Sequence, residues 1–218
     1  MDEMILIDKP AGMTSFGVVA RVRRVLSQQA GKKVKVGHTG TLDPFATGLM
    51  ILVTGKMCRE AGTYTKLDKW YEAEIILGQE STTGDPEGEL TVISDASPSR
   101  EAVEAALRQW TGPIRQRPPI FSAIKINGQR AYHLARDGKE VEMPERTVTV
   151  YALELVSYDY PRLVIRAHVS SGTYIRSLAV DIGRTLGTGA YCQGLRRTQI
   201  AQYMVDEAKT LADFGITS

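Results

Sequence analysis

The run Gly37 to Pro44, G-H-T-G-T-L-D-P, sets one carboxylate, Asp43, in a glycine-punctuated turn that also carries an imidazole, His38. Gly37 and Gly40 permit close backbone approach to a ligand. Pro44 keeps the chain from continuing as an ordinary strand, and the apolar run Leu49 to Val53 follows. The pattern places Asp43 at the mouth of a buried strand. A carboxylate held ionised at neutral pH can act as a nucleophile without a separate base. It then needs a cation to keep it ionised, and Arg176 is the candidate, at the start of a helix behind the turn Ser170-Ser171-Gly172-Thr173.

Other chemistries fail on spacing. Thr54-Gly55-Lys56 resembles the end of a phosphate loop, but Gly48 lies too far from it and Met57 stands where a magnesium-binding Ser or Thr belongs. There is no G-x-S-x-G and no G-x-G-x-x-G, and His38, His133 and His168 lack metal-ligand spacing. Cys58 and Cys192 are lone residues far apart, which favours two small buried hydrophobes over a disulfide or a zinc site. No metal and no cofactor is expected.

The elements that must position these groups are mixed. Met4 to Ile7 reads as a strand, Lys9 to Gly12 as a turn, and Ser15 as the cap of a helix running to about Leu26 with Val18, Val22 and Val25 inward. Trp70 to Leu77 alternates as a strand, with Tyr71, Ala73, Ile75 and Leu77 on one face. Ser99 to Trp110 carries the helical stripe Val103, Ala106, Leu107 and Trp110, which Gly112-Pro113 ends. Phe121 to Ile126 reads as a strand closed by the turn signal Asn127-Gly128, and Thr147 to Val156 with Leu163 to Val169 as an antiparallel pair around Tyr160-Pro161. Helices are expected over Tyr174 to Leu186 and Asp206 to Phe214. Without strict β-α alternation, this order implies an α+β fold with a central mixed, largely antiparallel sheet flanked by helices.

Charge is segregated although the net value is only +2. Between Arg21 and Lys35 stand six basic residues and no acidic one, and from Ala105 to Arg136 six more with Trp110, Phe121 and Tyr132 among them. Basic and aromatic residues together suit nucleic acid. In contrast, Asp68 to Glu104 holds ten acidic residues and two basic ones, so a solvated face accounts equally well for any single cluster. No apolar segment approaches the ~20 residues that span a bilayer, and the start Met1-Asp2-Glu3 is unlike a signal peptide. A cytoplasmic protein is expected.

Five segments in register, D-K-P-A-G-M-T-S (Asp8 to Ser15), G-H-T-G-T-L-D-P-F-A-T-G (Gly37 to Gly48), K-W-Y-E-A (Lys69 to Ala73), S-A-I-K (Ser122 to Lys125) and S-S-G-T-Y-I-R-S-L (Ser170 to Leu178), resemble the bacterial TruB-type tRNA pseudouridine synthases. The resemblance implies a pseudouridine synthase fold that isomerises uridine 55 in the T-loop of tRNA by turning the base out. Asp43 then matches the nucleophilic aspartate, Arg176 the arginine that pairs with it, and Tyr71 the tyrosine that stacks on the flipped uracil. His38 matches the histidine that fills the vacated space, and Leu195 a leucine packing beside the target base. Lys125 lies in an RNA-clamping insert at about 118–146. Tyr174 and Asp85 are further substrate-binding positions. Asp43 attacks C6 of the base or C1′ of the ribose, or serves as base in an elimination; the residues leave all three open.

Two departures stand out. Family members continue into a small C-terminal PUA domain, so residues 1–218 are expected to be a single catalytic domain without it. The segment Ser81 to Asp85 keeps only one of the family's two aspartates. The expected partner is the T-arm stem-loop of tRNA, with no membrane and no obligate protein partner. The alternative is an RNA-binding factor that opens and reanneals the tRNA elbow, with catalysis secondary or absent.

Overall fold

From Lys69 to Leu77 every second side chain is buried, namely Lys69, Tyr71, Ala73, Ile75 and Leu77, while Glu72 is exposed. This is the period of a pleated strand with one covered face. The structure, a computed structural model, describes residues 2–119, 125–126, 129–130 and 143–216, with only the backbone given at 125–126 and 129–130. The chain forms two compact units, Met1–Tyr71 with Leu195–Ser218, and Glu72–Gly194. Strands β4 (Lys69–Leu77) and β12 (Ala190–Ile200) each pass from one unit into the other.

In the first unit, β1 (Met4–Lys9) and β2 (Val36–His38) pair antiparallel with β3 (Thr47–Thr54), and β12 pairs with β3 in parallel, Thr47 opposite Arg196 and Gly48 opposite Arg197. Residues 48–54 of β3 are all buried, as the unbroken apolar run requires. Leu49, Ile51 and Val53 form a core cluster with Ile200 and Val205. Gly48, at φ 105°, admits no side chain, because a Cβ there would overlap the Arg197 backbone.

Helix α1 (Ser15–Ala30) extends a turn beyond the expected end and stops at Gly31, in the left-handed region at φ 64°. Thr14, not Ser15, is its cap, with the threonine hydroxyl accepting from the Gly17 amide at 2.9 Å. Ser15 is buried and its hydroxyl is engaged elsewhere. The helix expected over Asp206 to Phe214 does not form; two short 3₁₀ turns, Val205–Glu207 and Ala212–Phe214, stand in its place. The reason is tertiary. Lys209 bonds along β1, donating its amide to Leu6 O at 3.0 Å and accepting from the Asp8 amide at 2.9 Å, so its backbone is unavailable to a helix. Strand β13 (Tyr203–Met204) closes on the end of β12, and a short helix α2 (Ala61–Thr65) follows a 3₁₀ turn over Gly55–Arg59.

In the second unit the sheet order is β12, β4, β11 (Arg162–Val169), β10 (Arg146–Asp159), β7 (Gly112–Gln116). The β10–β11 hairpin turns through a cis Tyr160–Pro161 bond, where the sequence placed the turn. Strand β7 was not expected; Gly112 opens it rather than merely ending the helix before. Strand β12 was also missed, because Gly194, Arg196 and Arg197 interrupt any apolar alternation. Helix α3 (Arg100–Gln109) buries Val103, Ala106 and Leu107, and Ser99 caps it. Helix α4 (Ile175–Thr185) packs so closely on β12 that a Cβ at Gly183 would overlap Ala190. A small hairpin pairs β5 (Gln79–Ser81) with β6 (Leu90–Val92). Beyond it, β8 (Lys125–Ile126) pairs with β9 (Gln129–Arg130).

Of the expected strand Phe121 to Ile126, residues 121–124 lie outside the described residues, as do the turn Asn127-Gly128 and most of the insert. Antiparallel pairings dominate with β3 and β12 parallel, which makes the fold α+β around a mixed, largely antiparallel sheet. Cys192 is fully buried, whereas Cys58 is only half-buried. Among the described residues no helix is long and apolar enough to cross a membrane, and no cluster of His, Cys, Asp and Glu could hold a metal.

Candidate active site

Asp43 is half-buried in the loop joining β2 to β3, four residues before β3 begins. The loop has little ladder pairing of its own, so side chains from three other segments satisfy its backbone. Ser15 Oγ accepts from the Leu42 amide and donates to the Leu42 carbonyl, both at 2.8 Å. Lys9, fully buried, donates through Nζ to Pro44 O at 3.2 Å and to Pro10 O at 2.7 Å, and the Gly12 amide reaches Pro44 O at 2.8 Å. Arg197 donates through Nε to Leu49 O at 2.7 Å and through its terminal nitrogens to Gly40 O at 3.2 Å and Thr41 O at 3.4 Å. The residues on each side of Asp43 are thus fixed by buried donors, and the carboxylate is carried on an immobilised backbone.

The other first-unit residues named from sequence fall on strands. His38 ends β2 opposite Leu52. Tyr71 lies on the buried face of β4 and is 8% exposed, while Leu195 is half-buried in β12. Two residues before Tyr71, the Lys69 ammonium donates to the carbonyls of Thr65 (2.7 Å) and Leu67. Burial and the charge of Arg197 lower its pKa from 10.5 to about 8, with Asp68 opposing.

In the second unit, Arg176 stands in the first turn of α4 and is buried with Asp85, Nη1 to Oδ2 at 2.8 Å, the two side chains 3% and 4% exposed. Arg176 also donates to Thr83 O at 3.0 Å. The other Asp85 oxygen accepts from the Thr83 hydroxyl at 2.6 Å and the Glu87 amide at 3.0 Å. Asp85, read from sequence as a substrate contact, therefore lies beneath Arg176 with both oxygens engaged by protein. Gln116, 1% exposed, sets where α4 begins: its amide accepts from the Tyr174 N–H at 2.7 Å and donates to the Tyr174 carbonyl at 2.9 Å. Arg146 lies over the Tyr174 ring at 5.1 Å, so that face of the ring is occupied.

Arg176 and Thr83 border a cleft of about 600 Å³ that also takes in Trp110, Arg115, Arg117 and Arg184. The second acid-free zone gains a carboxylate from outside itself, since Glu145 binds Arg115 at 2.6 Å and Arg117 at 3.5 Å. Arg184 lies 3.4 Å from Asp181, whose carboxyl burial pushes upward and Arg184 pulls back. Lys125 has its backbone in β8, and its side chain is outside the described residues, as are Tyr132 and His133.

Residues 23–175 match the model of the TruB family pseudouridylate synthase N-terminal domain. The chain belongs to this family. Residues 176–216 match the tRNA pseudouridylate synthase B C-terminal domain. The chain is 47% identical over 223 residues to the tRNA pseudouridine synthase B of Thermobifida fusca, covering 98% of this chain and 74% of that one. With the enzyme of the same name from Parabacteroides distasonis it shares 44% identity over 206 residues, 94% of this chain and 88% of that one. Among solved structures, it superposes on a chain of a Cbf5-Nop10-Gar1 complex with a TM-score of 0.74 at 30% identity, covering 96% of this chain and 52% of that one. A chain of an H/ACA RNP bound to a substrate RNA containing 2′-deoxyuridine gives a TM-score of 0.71 at 28% identity, covering 96% and 51%. The chain spans about half the length of these two solved chains.

The structure adds roles that sequence reasoning passed over. Ser15, Arg197 and Gln116 act on backbone atoms far away in sequence, and Lys9 had been read only as shaping a turn. The one available signal was a basic or amide residue in a segment otherwise bound for burial, such as Lys9 at the end of β1 and Arg197 within β12.

Proposed function

We propose that this chain isomerises uridine 55 in the T-loop of tRNA to pseudouridine, with Asp43 initiating the rearrangement. The reading rests on one observation above the others: Asp43 lies in a loop whose backbone is held on both flanks by Ser15 and Lys9. A reacting carboxylate gains most from such prior fixation. The N1–C1′ bond breaks, the uracil rotates, and a C5–C1′ bond forms; C5 loses its hydrogen to solvent and N1 gains one. Atoms and oxidation state are conserved, so the step needs no redox partner. Asp43 attacks C6 or C1′, or removes a proton in an elimination, and each route begins with the base out of its stack.

Unstacking costs a few kcal/mol, which stacking on Tyr71 and contacts to phosphates offset. His38 fills the space the base leaves, and Leu195 packs beside it. Arg176 is the cation that the family resemblance assigns to Asp43, and Asp85 orients its guanidinium. The exposed basic residues of α1 and the segment after it, Arg21, Arg24, Lys32, Lys33 and Lys35, supply phosphate contacts. The cytoplasm, where tRNA is processed, is the proposed location.

The test is tritium release from a T-arm stem-loop labelled at C5 of its uridines. Wild type should release label and Asp43→Asn should not, while both bind the RNA, because C5 gives up its hydrogen only as the new glycosidic bond forms. Binding without release by the wild type, on the stem-loop and on full-length tRNA, would transfer the chain to the class of RNA-folding factors.

A further inference from the structure

We propose that Arg197 is a positioning residue for catalysis: its guanidinium joins the two ends of the loop that carries Asp43 and so fixes where that carboxylate stands. The side chain is 1% exposed and is among the largest fully buried in the chain. Its donors divide between the two ends of the loop, Nε to Leu49 O at the exit and the terminal nitrogens to Gly40 O and Thr41 O at the start. The backbone of the same residue lies opposite Gly48 in the parallel pairing of β12 with β3, and the absence of a Cβ at Gly48 permits that approach. One residue thus holds the exit of the loop through main chain and side chain, and its start through the side chain.

Stability alone does not account for this choice. Among the described residues its acceptors are carbonyls rather than a carboxylate, so a full positive charge is taken out of water with only neutral acceptors in return, which is costly. A second buried cation lies near enough to feel it, since the charge of Arg197 contributes to lowering Lys69. What the guanidinium supplies, and an apolar residue does not, is a rigid fork whose donors reach carbonyls on two separate strands of backbone. Ser15 and Lys9 hold the residues adjacent to Asp43, and Arg197 holds the ends to which those residues are attached. Removing the fork should leave Asp43 present but displaced, and a displacement of about 1 Å is enough to cost on the order of 100-fold in rate.

The proposal rests on Asp43 initiating the reaction. Wild-type turnover by Asp43→Asn would defeat that reading, whereas Arg197→Lys probes only the placement of the loop. Lysine keeps the charge but satisfies one end of the loop at a time. Single-turnover rates, normalised to protein that binds RNA, should fall about 10- to 100-fold in Arg197→Lys. The dissociation constant should move by no more than about threefold, because binding rests on phosphate contacts elsewhere. Amide exchange over residues 40–49 should quicken in the same variant. Val22→Ala, in the core face of α1, serves as a control for lost stability and should keep the wild-type rate per bound RNA. An unchanged rate in Arg197→Lys, or an equal loss in Val22→Ala, overturns the proposal. If Arg197→Lys does not fold, Ser15→Ala frees the same loop at Leu42 and should also slow turnover; an unchanged rate there overturns it equally.

Discussion

Replacing Asp85 by alanine removes the carboxylate from a pair in which both side chains are at most 4% exposed, and leaves the Arg176 guanidinium buried without it. Breaking such a pair from one side costs up to about 3–5 kcal/mol, far more than the pair is worth against an apolar substitute, because the remaining charge loses the carboxylate 2.8 Å away that offset its burial. Two further bonds are lost, those from the Thr83 hydroxyl and the Glu87 amide to Asp85 Oδ1. Asp85→Asn keeps the shape and an oxygen for those two donors but gives up the charge opposite Arg176, which should cost about 1.5–3 kcal/mol. With a urea slope of about 2 kcal/mol per M, the midpoint should fall by about 1.5–2.5 M for alanine and about half that for asparagine. Circular dichroism follows the transition, and Trp110, whose indole donates to Thr185 Oγ1 at 3.0 Å beside α4, reports the same unit by fluorescence. Turnover should fall in the same order, since Arg176 then loses the group that aims it. A midpoint for Asp85→Ala within about 0.3 M of wild type would show that the guanidinium finds water or another partner, and would refute the argument from burial.

Two other outcomes follow from the same structure. Because Lys69 is held down at about 8 in the folded chain against 10.5, the unfolded chain binds the extra proton between those values. Folding stability should therefore rise as pH climbs from about 8 to 10.5, by up to about 3 kcal/mol, and fall again on return; Lys69→Met should lose that slope in paired urea titrations, and a parallel slope in both proteins would contradict the shift. Replacing exposed Lys32, Lys33 and Lys35 together by alanine should weaken tRNA binding and flatten the log–log salt dependence by about 2–3 in slope, without changing the single-turnover rate at saturating RNA; an unaltered slope would take this strip off the phosphates.

Local order left clear traces in the sequence. The alternation from Tyr71 to Leu77, the stripe Val103, Ala106 and Leu107, and the apolar run Leu49 to Val53 each gave the right element, because burial of one face or both repeats with the period of the backbone itself. The loop holding Asp43 was legible through its glycines and proline, and the motifs in register were enough to name the family. The helix forecast at Asp206 to Phe214 followed from local pattern too, and failed because Lys209 exchanges bonds with β1. Strand β12 was invisible for the complementary reason: its arginines and Gly194 break the apolar period, yet β3 accepts Arg196 and Arg197 into a parallel ladder.

What only the tertiary structure decided is which polar groups face one another. Asp85 and Arg176 lie 91 positions apart, and Arg197 lies 157 from the Gly40 carbonyl it binds. Backbone acceptors are present at every residue and so leave no mark in the sequence of the side chain that will seek them. The sequence by itself determined most of the elements, the family and the candidate carboxylate, Asp43. Its fixation by Lys9, Ser15 and Arg197, and the partner that holds Arg176, depend on distances that exist only after the sheet has brought remote segments together.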